Sequence, residues 1–350
     1  MTWLVTGGAG YIGAHVVRAL RAAGLGCVVV DDLSSGHREF VGDDVPFVRC
    51  SVTETGRLVA TMVEHQVAGV VHLAGFKYAG VSVSRPLHTY EQNVTGTAHL
   101  LAAMAEAGVG AMVFSSSAAV YGTPDVDLVT ETTPTAPESP YGESKLVGEW
   151  LVADQARATG LAHTSLRYFN VVGSGAPDLY DSSPHNLFPL VMDAVAAGRA
   201  PQINGTDYPT PDGTCVRDYL HVADLAATHA AAATALAEGR TLAPVYNLGS
   251  GDGTSVREIM SAVARVTGHG FTPVEATRRP GDPARIVASG ALAARDLGWA
   301  ATRTLDDMVA SAWAAHTRLN RAGDERLRPP EPMMDGHDEG HQESIGTVTG

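Results

Sequence analysis

The feature that most constrains this chain is Gly7-Gly8-Ala9-Gly10-Tyr11-Ile12-Gly13. It lies between an apolar run, Trp3–Thr6, and a stretch with helical apolar spacing (Ile12, Val16, Leu20) that stops at Gly24. Glycines placed so let the backbone turn tightly, come close to a pyrophosphate and pack helix on sheet. The N–H groups at the helix start then face the phosphates. The next apolar run, Gly26–Val30, leads into Asp31-Asp32, where a carboxylate can accept from a ribose 2′-hydroxyl and would repel a 2′-phosphate. The pattern therefore predicts a dinucleotide site at Gly7, Gly10, Tyr11, Ile12, Gly13, Asp31 and Asp32, and favours NAD over NADP.

Further strands are predicted at Val67–Leu73, Gly110–Phe114 and Thr164–Phe169, with helices near Thr53–His65, Pro86–Ala107 and Tyr141–Thr159. Alternation of this kind implies an α/β fold, a Rossmann-like doubly wound parallel sheet. After Asn170 the alternation breaks. Loop-rich stretches (173–184 and 206–214) separate helices at Asn186–Ala197, Val222–Glu238, Ser255–Thr267 and Leu305–Leu319, which predicts a smaller, discontinuous C-terminal substrate domain. The expected boundaries are 1–169 for the NAD-binding domain, with 218–250 returning to it. The substrate domain takes 170–328, mainly 170–217 and 251–328. A tail, 329–350, is expected to be disordered: from Glu331 onward it has five acids and no Lys or Arg.

The formal net charge of −14 argues against nucleic-acid binding, so an anionic substrate must be met by a few placed arginines. Three separated cysteines (Cys27, Cys50, Cys215) offer neither a disulfide framework nor a metal site. With no run of 18 apolar residues and no leader-like N-terminus, a cytoplasmic protein is expected.

Tyr141-Gly-Glu-Ser-Lys145 puts a phenol and an ammonium four residues apart, hence on one helix face. A free tyrosine has a pKa near 10. A neighbouring Lys⁺ and a positive nicotinamide ring would lower it and make Tyr141 a base. Ser139-Pro140 is a plausible helix start. Ser117, at the end of the hydrophobic strand in Phe114-Ser115-Ser116-Ser117, can hydrogen-bond the reacting oxygen, whereas Ser115 and Ser116 read more simply as a strand-to-loop turn.

These features resemble the extended short-chain dehydrogenase/reductase superfamily. Longer strings resemble its nucleotide-sugar 4-epimerase branch, which acts on UDP-glucose and UDP-galactose. They include Val-Thr-Gly-Gly-Ala-Gly-Tyr-Ile-Gly (5–13), Ala-Gly-Phe-Lys (74–77), Asn-Val-Thr-Gly-Thr (93–97), Phe-Ser-Ser-Ser-Ala-Ala-Val-Tyr-Gly (114–122), Leu-Arg-Tyr-Phe-Asn (166–170), Val-Arg-Asp-Tyr-Leu-His-Val (216–222) and Arg-Arg-Pro-Gly-Asp (278–282). The resemblance spans residues 2 to about 320. It implies reversible C4 inversion through a transient 4-keto sugar, with NAD held throughout, in a homodimer. Tyr141 would take the 4-hydroxyl proton, Lys145 tune it and hold the nicotinamide ribose, and Ser117 relay the proton.

Cofactor contacts are further implied at Ser51, Val52, Leu73, Ala74, Gly75, Lys77, Gln92, Asn93, Ser115, Tyr168 and Phe169. Substrate contacts are implied at Lys77, Asn170, Asn186, Leu187, Asn204, Arg217, Arg279, Asp282 and Ile286, where Ile286 bears on the sugar 2-substituent. The chain departs from the family at Ser51, where many members have Asp, at Gln92, where some have Asn, and at Asn204, where some have an aromatic. Dehydratases and decarboxylases of the superfamily use a carboxylate just before the Val-Tyr-Gly turn; this chain has Ala118-Ala119 there. The alternatives are another nucleotide-sugar epimerase or dehydratase of the superfamily, or a non-catalytic NAD-binding scaffold.

Overall fold

The computed structural model describes residues 1–279 and 282–327. The tail 329–350, with the expectation attached to it, lies outside the described residues. Seven parallel strands form the central sheet, in the order β11-β6-β5-β4-β1-β2-β3. They are β1 (Thr2–Thr6), β2 (Gly26–Asp31), β3 (Phe47–Arg49), β4 (Val67–His72), β5 (Ala111–Ser115), β6 (Ala162–Tyr168) and β11 (Val245–Leu248). Helices α1 (Tyr11–Ala22), α2 (Thr55–Glu64), α3 (Ala79–Ser84), α4 (Pro86–Tyr90), α5 (Gly96–Ala107), α6 (Pro140–Thr159) and α8 (Val222–Ala237) connect or cover them. The expected doubly wound sheet is present.

Side-chain alternation explains both layers. Trp3, Val5, Val29, Val71 and Val113 face one way, into a core with Val16 and Leu20 of α1 and Leu225 of α8. Leu4, Val28, Val30, Val70 and Met112 face the other way, against Leu58 and Met62 of α2 and Leu100 and Met104 of α5. From β1 the chain builds outward through β2 and β3, then crosses back to β4. The resulting switch point opens a crevice at the carboxyl ends of β1 and β4, where ligands of such sheets bind.

The stretch Pro86–Ala107, expected as one helix, is interrupted by a π-helical turn at Glu91–Thr95. The cause is Asn93. Its side chain turns inward, accepting from Phe76 N–H and donating to Phe76 O and Ser144 Oγ. One extra residue in the turn accommodates that inward aim.

Smaller pieces complete the chain: β7 (Asn170–Val172) beside β10 (Tyr219–His221), β8 (Gln202–Asn204) beside β13 (Val274–Ala276), and β9 (Val216–Arg217) between β12 (Thr254–Ser255) and β14 (Arg285–Ile286). Helices α7 (Leu187–Ala196), α9 (Val256–Thr267) and α11 (Leu305–Leu327) share a separate core of Phe188, Met192, Ile259, Val263 and Val309. In contrast to the sequence boundary, α10 (Ala291–Leu297) packs on β11 and α8, and Trp299 donates to Gly249 O. Apolar Ala293 and Trp299 bury themselves in the core of the first half.

Candidate active site

A cavity of about 710 Å³ fills the crevice at the switch point. Gly7, Gly10, Tyr11, Ile12, Gly13, Asp31, Asp32, Val52, Leu73, Ala74, Gly75, Lys77, Gln92, Tyr141, Lys145, Tyr168, Phe169, Asn170, Asn186 and Leu187, all foreseen from sequence, line it. A Cβ on Gly13 would lie 2.0 Å from Gly7 O, and one on Gly7, whose φ is +71°, would lie 2.7 Å from Ala74 N. Those two glycines serve the protein's own packing. Gly10 differs: an added Cβ would find only Gly7 O nearby, at 3.3 Å, and the residue faces the cavity.

Gly10 caps α1 with no side chain, so the first N–H groups of α1 are offered to whatever enters. Asp31 is buried at the end of β2, and its carboxylate accepts from Ala9 N–H at 3.0 Å and Leu33 N–H at 2.8 Å. It thus ties the glycine turn to the strand end and still has lone pairs for a diol. Burial pushes its pKa up, opposed by these two N–H groups. A free helix start for a pyrophosphate, a close-approach glycine and an acid for a ribose together fit NAD.

The Tyr141–Lys145 pair sits on α6. Ser139 caps the helix by accepting from Gly142 N–H, and Pro140 occupies its first turn. Ser117 stands beside Tyr141 and favours its ionised form. Lys145, fully buried one turn on, donates to Ser115 O at 2.9 Å, with its Nζ 5.9 Å from the Tyr141 ring centroid. Burial lowers the Lys145 pKa to about 8.

The sequence expects the Tyr141 pKa to be lowered by Lys145 together with the positive nicotinamide ring. In the chain by itself burial raises it, opposed by Ser117. The ammonium is engaged by the Ser115 carbonyl.

Other foreseen residues, Ser117 among them, do not line the cavity. Asn93 spends its amide on the 76 backbone and Ser144. Ser51 pairs with Thr53. Ser115 Oγ donates to Nε2 of buried His229, whose Nδ1–H bonds Leu225 O. Arg217, Asn204, Arg279, Asp282 and Ile286 gather with one another instead. Ile286 lies opposite Arg217 across the β9–β14 pair. Arg217 Nη2 sits 3.6 Å from Asp282 Oδ1 and is buried without a hydrogen bond. With its amide turned, Asn204 accepts from Arg279 Nε at 3.1 Å. A half-buried guanidinium with an unsatisfied N–H is a seat for an anion.

Residues 3–249 match the NAD dependent epimerase/dehydratase family. The UDP-glucose 4-epimerase of Streptomyces lividans is 43% identical over 336 residues, covering 93% of this chain and 98% of the relative. That of Azospirillum brasilense is 42% identical over 324 residues, covering 91% and 93%. The crystal structure of the UDP-glucose 4-epimerase of Stenotrophomonas maltophila, with bound NAD and formylated UDP-arabinopyranose, superposes with a TM-score of 0.87 at 41% identity. It covers 92% of this chain and 99% of that one.

The chain belongs to the NAD dependent epimerase/dehydratase family.

For a family that binds NAD, the structure adds residues the sequence reading overlooked. Ser34, Ser35, Gly36 and Cys50 complete the cavity beside Asp31, and Phe76, Tyr78, Asp181 and Ser183 complete it beside Asn186. Asn186 donates to Asp181 Oδ2 at 2.7 Å.

Behind the catalytic helix, Glu149 pairs with Arg167 through two bonds, at 2.8 and 2.6 Å, and accepts from Ser116 Oγ. Arg167 also donates to the Tyr121 hydroxyl, which donates to Asn247. This network locks the 115–121 segment, and with it Ser117, against α6. Glu149 continues the Tyr141–Lys145 spacing by another four residues, the one signal that could have found it.

Proposed function

We propose that this member of the family interconverts UDP-glucose and UDP-galactose by inverting the sugar at C4. The observation that carries the reading is the Tyr141–Lys145 pair in the wall of a cavity that also receives the α1 glycine turn, Asn170 and Asn186, with Ser117 beside Tyr141. Bound NAD supplies the hydride acceptor and donor for C4. Tyr141 takes the proton from the 4-hydroxyl and later returns it, with Ser117 beside it to pass it on. Lys145, anchored on Ser115 O, presents its ammonium beneath the tyrosine and holds the nicotinamide ribose. Arg217, with a free Nη2, and Arg279 neutralise the diphosphate.

Ala118 and Ala119 carry no acid or base, so nothing in that segment removes a group next to the ketone. The ketose is therefore reduced again, and rotation before hydride return inverts C4. The dehydratase alternative lacks its carboxylate. Purified protein given UDP-galactose and no reductant should yield UDP-glucose. Release of a dehydrated sugar, or no turnover, would overturn the reading.

Ile286 packs beside Phe169, against Tyr121 and Leu146. It is smaller than tyrosine but stiff, which supports preference for UDP-glucose and UDP-galactose with weaker acceptance of UDP-N-acetyl sugars. The working unit is a cytoplasmic homodimer. Exposed Val83 of α3, Leu87 of α4 and Trp150 of α6 supply an apolar face for a second copy. Among the described residues no helix is long and apolar enough to cross a membrane.

A further inference from the structure

Two segments face each other across the cleft. The 75–78 turn belongs to the cofactor side and is fixed there, since Asn93 holds both the N–H and the carbonyl of Phe76. Tyr78 then begins α3, whose Ser82 Oγ accepts from Tyr141 N–H, so this turn is mechanically continuous with the catalytic helix.

The opposite segment, 181–186, belongs to the substrate side. Asp181 accepts from Ser183 N–H and from the Asn186 amide, Ser183 Oγ accepts from His185 N–H, and α7 starts at Leu187. Whatever moves Ser183 and His185 moves Asn186 and Leu187.

Tyr78 joins the two. Its side chain and Ser183 face the same cavity. Its ring meets the His185 ring edge-on at 4.9 Å, and on the other side packs on Phe76 at 5.5 Å with Lys77 Nζ 5.5 Å from its centre. Tyr78 and Ser183 both line the cavity, while His185 is exposed. An exposed ring contact is weak enough to open and strong enough to bias closure.

We propose that Tyr78 is a positioning residue for the sugar nucleotide. It clasps the 181–186 segment onto the 75–78 turn, holds Asn186 and Leu187 at the height set by Tyr141, and must part for UDP-sugar to enter or leave. The inference rests on the UDP-sugar reading above; turnover of UDP-galactose by the unaltered enzyme tests that reading separately, in the same assay.

The test compares Tyr78→Ala, Tyr78→Phe and His185→Ala with the unaltered holoenzyme, measuring kcat, KM for UDP-galactose, the dissociation rate of UDP by stopped flow, and melting temperature. Tyr78→Ala should raise KM and the UDP dissociation rate by about tenfold while kcat changes by less than about threefold. His185→Ala, which removes the partner ring, should shift both in the same direction, and Tyr78→Phe, which keeps the ring contact, should stay close to the unaltered enzyme. Should Tyr78→Ala fail to fold, His185→Ala still decides. A lower melting temperature with unchanged KM and unchanged UDP dissociation in the alanine variants would show a merely structural tyrosine and overturn the proposal.

Discussion

Around the glycine turn the protein satisfies itself: Asp31 is bonded to Ala9 and Leu33, Gly13 packs against Gly7, and Asn93 fixes the 76 backbone. On the substrate side the same density of charge is left unfinished. Arg217 keeps a buried Nη2 without a hydrogen bond, and exposed Arg279 and Asp282 lie in a strand-poor segment. The difference follows from what each side does over one turnover. NAD need not exchange, because hydride leaves and returns within the cycle, so its seat can be built from backbone and short side chains. The sugar nucleotide comes and goes, and long side chains that accept an anion and release it suit that duty.

The comparison breaks most sharply at Gly13. Gly13→Ala places a methyl on Gly7 O, with no side chain able to give way. The turn must shift, and loss of retained NAD and of activity is expected. Denaturing purified protein and assaying the supernatant for NAD checks this; a variant that still carries a full complement would show that the turn tolerates the change. Unaltered protein purified without added NAD should carry it.

Tyr141→Phe keeps the ring and removes the proton acceptor. It should lower kcat by at least about 10²-fold, the low end for general acid–base catalysis, with UDP affinity nearly unchanged. Near-normal kcat would mean the wrong base has been chosen. The same variant sharpens the contrast, because it separates chemistry from both binding halves.

Arg217→Gln is the substrate-side counterpart of Gly13→Ala. KM for UDP-galactose should rise about 10- to 100-fold, as for loss of a charge-assisted contact. The melting temperature should hold, since among the described residues the guanidinium makes only a bond to Val216 O and a long contact with Asp282. A folding defect as large as that of Gly13→Ala would erase the distinction between the two sides.

These outcomes bear on what the sequence could reveal. Glycine spacing, strand alternation and the four-residue step from Tyr141 to Lys145 are local signals, and they pick out residues that the structure gathers around one cavity. Glu149 and Arg167 meet across 18 residues of chain and Tyr78 meets His185 across the cleft, so neither pairing leaves a local pattern. The π turn at Asn93 was hidden for a related reason, since inward hydrogen bonds to Phe76 and Ser144 impose it. The rise that burial imposes on the Tyr141 pKa in the chain by itself is a tertiary effect that no helix spacing reports.

The seam between the two sides is sensitive to pH through histidines. His15 on α1 donates to Tyr11 O and accepts from Gly175 N–H; His221 accepts from Ala223 N–H and donates to Ser311 Oγ. Burial lowers both pKa values to about 4. A base whose folded pKa is depressed lets the unfolded chain bind more protons between the two values. Its contribution is therefore intact above about 6.5 and is lost as pH falls toward 4. Burial raises the pKa of Asp31 and Asp181, which acts in the opposite sense, so the difference between variants is the useful quantity. Melting temperature should drop between pH 7 and 5, and less steeply in His15→Gln. Identical slopes would show that His15 does not carry the effect.

The smallest effect on the main substrate is expected at Ile286. It stands opposite Arg217 on β14 and packs beside Phe169, against Tyr121 and Leu146, so it joins the anion-binding pair of strands to the wall behind the catalytic helix. A tyrosine there would extend past the isoleucine and fill space that an N-acetyl group needs. For UDP-galactose, whose 2-substituent is a hydroxyl, the ring costs little. The unaltered enzyme should favour UDP-galactose over UDP-N-acetylgalactosamine by about 10- to 150-fold in kcat/KM, the range that a single steric contact supplies. Ile286→Tyr should abolish the N-acetyl activity and leave UDP-galactose turnover within about threefold. Equal loss of both substrates would mean that the ring disturbs Arg217 or the Tyr121 wall instead of gating the sugar. Absence of any N-acetyl turnover in the unaltered enzyme would place the gate elsewhere.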